Sequence, residues 1–145
     1  MTEKTGVWEP LRKAAPQVHW TRIENLVGTG MSDVNGCLNG VEVWIENKLV
    51  HGNQITFQPM QPAWIIQRLM HGGRVFVLAR KNDMLYLYGW EGLVKLLRTV
   101  KPQGKHLVAD YRAAVPLVIV QKPFDWEAVT GAVFGHRSSI TAKAA

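Results

Sequence analysis

Between residues 41 and 49 the side chains sort by face. Val41, Val43 and Ile45 fall on one side of an extended strand, and Trp44, Glu46 and Lys48 fall on the other. Asn47 then points opposite to Glu46 and Lys48. A charge closing an otherwise apolar strand is out of place on solvation grounds alone. Just upstream, Ser32-Asp33-Val34-Asn35-Gly36 places a carboxylate at a glycine-flanked strand entry. Asn39-Gly40 joins strands over 31–38 and 41–49, and this dipeptide is the strongest local hairpin signal in the chain.

The remaining pattern supplies a coarse element order. Residues 1–16 read as a short arm with one helical turn over 8–14. Residues 17–24 form a first strand, broken by Gly28 and Gly30. A turn at His51-Gly52-Asn53 leads to a brief extended piece over 55–57. Pro59 and Pro62 then open a helix that stops at Gly72-Gly73. Residues 74–79 read as a buried strand and 84–88 as a further strand, followed by a helix over 90–99. Residues 102–105 read as a basic flexible loop. The longest apolar run, 113–120, reads as a buried strand, followed by a closing helix over 124–134 and a disordered basic tail over 137–145. No repeat or linker interrupts the chain, so one domain over 1–145 is expected. The order implies a mixed central sheet with helices on its faces, an α/β or α+β fold.

Charge and cysteine content narrow the classes. Net charge is +6, which suits a polyanionic partner, nucleic acid or an anionic membrane surface, although many soluble domains are mildly basic. The single cysteine, Cys37, excludes an intramolecular disulfide and a multi-cysteine zinc site, and reads as a small buried hydrophobe in a reducing compartment. The first residues carry no secretory pattern and no stretch has the length of a membrane span, so a cytoplasmic, non-secreted protein is expected. Phosphate-loop, dinucleotide and serine-elbow motifs are absent from the sequence, so no nucleotide cofactor is expected.

Two carboxylates and an ammonium on adjacent strands can hold a divalent cation and position a water beside it. That is the chemistry of phosphodiester hydrolysis. The full ordered set runs from His19 to Arg80. It comprises Arg22-Ile23-Glu24-Asn25, Gly30-Met31-Ser32-Asp33-Val34, Trp44-Ile45-Glu46-Asn47-Lys48, Gln61-Pro62-Ala63-Trp64 and Gly72-Gly73-Arg74-Val75. In this order it resembles the PD-(D/E)XK nuclease superfamily, and within it the small phage-type nucleases of the virus-type replication-repair group, whose core is similar to that of Holliday-junction resolvases. Two departures stand out. Ser32 replaces the proline before the aspartate, and Asn47 replaces the more usual apolar residue inside Glu-x-Lys.

The resemblance implies a restriction-endonuclease-like core over about 17–90, with a C-terminal extension over 91–136. It assigns Asp33 and Glu46 to Mg²⁺ or Mn²⁺, with the Asn47 carbonyl completing the shell and Glu24 joining from upstream. Lys48 would orient or help deprotonate the attacking water. Gln61 would touch the scissile phosphate or a metal-bound water, and Arg68, on the same helix face, would lie nearer the DNA backbone. The plainer alternatives are surface carboxylates for Asp33 and Glu46, a strand-end lysine for Lys48, a surface charge or partner of Arg22 for Glu24, a helix cap for Gln61 and a solvated face for Arg68. Arg22, Lys101 and Lys105 are candidate phosphate contacts, set against plain solubility. Among the aromatics, Trp44 shares the face of Glu46, and His51 lies close in sequence to Lys48.

The implied activity is a metal-dependent DNA endonuclease that leaves a 5′-phosphate, selective for branched DNA such as a Holliday junction or a flap. Cutting a junction needs two active sites, so a homodimer is expected. The alternatives are a sequence-specific homing or restriction-type endonuclease, and a non-catalytic nucleic-acid-binding protein on the same fold.

Overall fold

The computed structural model describes residues 1–23 and 30–135. Glu24, and the tail that includes Arg137 and Lys143, lie outside the described residues. A π-helical turn, Lys4–Trp8, runs directly into α1, Glu9–Ala14. Then come β1 (His19–Arg22), β2 (Val34–Leu38), β3 (Val41–Leu49), β4 (Gln54–Phe57), α2 (Gln61–Met70), β5 (Val75–Lys81), β6 (Met84–Gly89), α3 (Trp90–Leu97), β7 (Lys101–Gln103), β8 (His106–Asp110), β9 (Val118–Gln121) and α4 (Trp126–Phe134).

Six strands form one mixed sheet in the order β1-β2-β3-β5-β6-β9. Only the β3–β5 pair is parallel, because β4 and α2 carry the chain across one face between them. This is a mixed α+β architecture of the restriction-endonuclease-like type. The β2–β3 hairpin turns through Asn39 at φ 50° and Gly40 at φ 79°, the two left-handed residues that a two-residue hairpin turn of this hand requires.

β5 explains the two-layered core. Its residues are apolar on both faces, as a central strand covered on both sides demands. Phe76 and Leu78 join Val43, Ile45, Leu11 and Val129 in one core, beneath the N-terminal helical segment and α4. Val77 and Ala79 join Phe57, Ile65, Leu93 and Leu96 in the other, beneath α2, α3 and β4. Two arginines tie peripheral elements to this frame. Arg80 donates from Nη1 to the Gly6 carbonyl at 2.9 Å and so holds the N-terminal segment against the sheet. Arg74 donates from Nη2 to the Val133 carbonyl at 2.7 Å, satisfying the C-terminal end of α4.

Four sequence expectations are corrected. The N-terminal arm is helical from Lys4 rather than a single turn over 8–14. Residues 102–105 are not a flexible loop. They belong to a β7–β8 hairpin turning at Gly104, and β8 pairs onward with β4 to make a separate three-stranded sheet. The apolar run 113–120 is not a buried strand. It yields only β9 at the sheet's edge, with Val115 81% and Ile119 53% exposed, because an edge strand lacks a covering element on one side. Cys37 is exposed, since β2 turns that position to solvent. No helix among the described residues is long and apolar enough to cross a membrane.

Candidate active site

The site forms where β2 and β3 part. Their register begins at Val34 opposite Ile45, so Asp33 stands just past the last ladder pair, facing Glu46. There side chains replace the backbone ladder. The Asp33 N–H donates to Glu46 Oε1 at 3.2 Å, and the Asn47 N–H donates to Asp33 Oδ1 at 3.3 Å. Each carboxylate thereby closes a main-chain donor of the other strand, and the two acids are pinned side by side.

Lys48 lies two residues beyond Glu46 on the same face, as strand alternation requires. Its Nζ is 3.3 Å from Glu46 Oε2. Gln61, the first residue of α2, binds both. Its Oε1 accepts from Lys48 Nζ at 3.0 Å and from the Gln58 N–H at 2.9 Å, while its Nε2 donates to Glu46 Oε2 at 2.9 Å. Lys48 also sits over the Phe57 ring, 5.1 Å from its centroid. Glu46, Lys48 and Gln61 are 4%, 7% and 8% exposed, so these interactions act with little competition from water.

Burial shapes the acid–base behaviour. The Asp33 carboxyl is pushed up to about 8, first by burial and then by the adjacent Glu46 charge. Burial also raises Glu46, while the Lys48 ammonium and the Gln61 amide pull it back down. A half-buried and a buried carboxylate side by side therefore lack enough positive charge. A hard divalent cation would supply it, and two carboxylate oxygens fit the usual share that protein gives to Mg²⁺. Among the described residues no cluster of three or more acid, histidine or cysteine ligands forms.

The sequence-assigned residues divide into groups. Asp33, Glu46, Lys48 and Gln61 come together in one network. The Asn47 side chain faces the opposite core, and neither of its amide atoms has a hydrogen-bond partner; the buried Ser32 Oγ has none either. Arg68 is exposed on the last turn of α2, with its guanidinium 5.9 Å from the Trp44 ring centroid and 5.4 Å from that of Trp64. Two helical turns, about 10 Å, separate it from Gln61. Arg22 closes β1 and its charge opposes that of Glu3. Lys101 and Lys105 are exposed on the β7–β8 hairpin.

Sequence reasoning missed Glu3. Its carboxyl is raised by burial, opposed by Lys48, His51 and Arg22, and it in turn raises both Asp33 and Glu46. A lone glutamate thirty residues upstream of Asp33 carries no spacing signal; only the docking of the N-terminal helix brings it in. A cavity of about 370 Å³ opens on the same side, lined by Glu3, Lys48, His51, Thr56, Gln58 and His106. A larger apolar groove between α2 and α3, lined by Leu69, Met70, Trp90 and Val94, holds none of the network.

Neither family models nor curated proteins match the sequence. Solved structures do match. The Holliday junction resolvase Hjc of Archaeoglobus fulgidus, an archaeal hyperthermophile, superposes with a TM-score of 0.50 at 10% identity, over 78% of this chain and 88% of that one. At that identity the likeness is one of fold alone.

Proposed function

We propose that this chain is a metal-dependent DNA endonuclease of the PD-(D/E)XK superfamily, selective for branched DNA and acting as a homodimer in the cytoplasm. One observation carries the reading. At one end of β3, Asp33 and Glu46 are locked together beside a Lys48–Gln61 pair, within a fold shared with a junction resolvase.

Asp33 and Glu46, with the Asn47 carbonyl, would hold Mg²⁺ or Mn²⁺. The ion would acidify a bound water and offset charge on the phosphorane oxygens. Lys48 would orient the attacking water and offer its ammonium to the developing negative charge. Gln61 spends both ends of its amide inside the protein, so it acts as a positioning residue for Lys48 and Glu46 rather than as a phosphate ligand. Arg22, Lys101, Lys105 and Arg68 are assigned to the DNA backbone around the cleft, where their charge adds affinity without sequence preference.

The test is a panel of labelled four-way junction, 5′-flap, single-stranded and linear duplex DNA, each with Mg²⁺, Mn²⁺ or EDTA. Cutting of the branched substrates in either metal and none in EDTA is expected. A fixed pattern on linear duplex without junction preference would instead favour a sequence-specific endonuclease. Binding that persists in EDTA with no cleavage in any metal would favour a non-catalytic DNA-binding protein.

A further inference from the structure

The cavity beside Lys48 contains side chains that the hydrolytic reading leaves unused. His51 follows the end of β3, and His106 opens β8 on the basic hairpin with Lys105 next to it. These histidines, one in the β3–β4 turn and one on β8, are 55 residues apart in sequence, yet they line one cavity with Lys48, Thr56 and Gln58. At about 370 Å³ the cavity is an order of magnitude larger than one water's share of the liquid, about 30 Å³.

The lining decides what fits. Among the described residues no tryptophan, tyrosine or phenylalanine borders the cavity, and its only rings are the two small imidazoles, which also hydrogen-bond. Apart from Glu3, every polar side chain of the lining can donate a hydrogen bond: an ammonium, two imidazoles, two hydroxyls and an amide. The one carboxyl, Glu3, is opposed by Lys48, His51 and Arg22, so the cavity is not an acidic one. Donating groups around one ammonium, with no large ring, match a phosphate and its sugar. Because Lys48 belongs both to this wall and to the Glu46–Gln61 network, whatever fills the cavity sits next to the reacting phosphorus.

We propose that this cavity is the subsite for a phosphodiester group neighbouring the scissile one, held by His51 and His106. The β7–β8 hairpin then forms the wall that fixes the DNA backbone in the cleft. This rests on the endonuclease reading and adds to it a second, non-reacting phosphate contact, made by positioning residues.

The experiment uses cleavable branched DNA carrying one uncharged methylphosphonate linkage, placed one nucleotide to either side of the cut. Wild type is compared with His106→Ala and with His51→Gln. Either variant is expected to raise KM about tenfold with kcat within about twofold, the mark of binding lost equally in ground and transition states. In wild type, one of the two methylphosphonate positions should give the same rise in KM. In the variants that position should add nothing further. Variants with unchanged KM, or effects of variant and linkage that multiply at both positions, would overturn the subsite. Wild-type protein that cuts no DNA in Mg²⁺ or Mn²⁺ would instead overturn the endonuclease reading, and the subsite with it.

Discussion

Glu46 and Asn47 are neighbours on one strand, both polar and both buried, and their fates are opposite. Glu46 accepts from the Asp33 main chain and the Gln61 amide and pairs with Lys48. The Asn47 amide, one residue on and facing the other core, has no partner on either atom. Burying a polar group costs free energy unless its bonds are replaced. On the Glu46 face that cost is met by a closed network whose geometry is fixed before any substrate arrives. On the Asn47 face nothing offsets it. Polarity on the first face is bonded into a network, and on the second it is left without partners.

The largest effect should come from cutting into the organised face. Asp33→Asn keeps the shape but removes the charge that holds the cation, and Lys48→Met keeps the stem but removes the ammonium. Each should slow cleavage of junction DNA by about 10²–10⁴-fold, the range for losing a positioned acid–base or electrostatic group. Single-turnover rates would measure it, and circular dichroism would verify that the fold survives.

Next comes Gln61→Ala. It leaves the buried Lys48 and Glu46 groups short of a partner each, so a stability loss of about 2–3 kcal/mol is expected alongside slower cleavage. Urea unfolding reads the first and single-turnover kinetics the second. If Gln61→Ala slowed cleavage with no change in the urea midpoint, Gln61 would act on the substrate rather than through Lys48 and Glu46.

A third effect concerns pH. The Asp33 carboxyl is raised to about 8 from the ordinary 3.8, so the fold favours its protonated form. Its contribution to stability is complete below the ordinary carboxylate range and is lost as pH climbs towards 8. The metal-free protein should therefore melt at lower temperature at pH 8 than at pH 5. Mg²⁺ should restore more stability at pH 8, because the cation competes with protons for the same oxygens. Asp33→Asn should flatten both trends in a thermal-shift series.

The smallest change tests the other face. Asn47→Val replaces an unpartnered amide with a β-branched apolar side chain of similar size beside Ile45 and Leu78. A gain of about 1–2 kcal/mol in urea unfolding is expected. A loss would mean that the amide has a role in the core that its surroundings do not reveal.

Legibility in the sequence followed the range of the interactions. Strand alternation put Glu46 and Lys48 on one face, and Asn39-Gly40 set the hairpin that brings Asp33 opposite Glu46. Both signals act within twenty residues. Gln61 was placed at the start of its helix by Pro62, but its bonds to Lys48 and Glu46 depend on how α2 packs. Glu3 and His106 reach the site only through tertiary docking, of the N-terminal helix and of the β7–β8 hairpin. No local pattern announces either. The exposure of Cys37 and Ile119 was hidden for a related reason: apolar neighbours in sequence do not say which strand lies at an edge or which face is covered.

The most direct test of the central claim is single-turnover cleavage of a labelled four-way junction, wild type beside Asp33→Asn, in Mg²⁺ and in EDTA. The account predicts cutting by wild type in Mg²⁺ alone and its loss in the variant. Equal cutting by the variant, or cutting that persists in EDTA, would contradict the assignment of Asp33 and Glu46 to a hydrolytic metal centre.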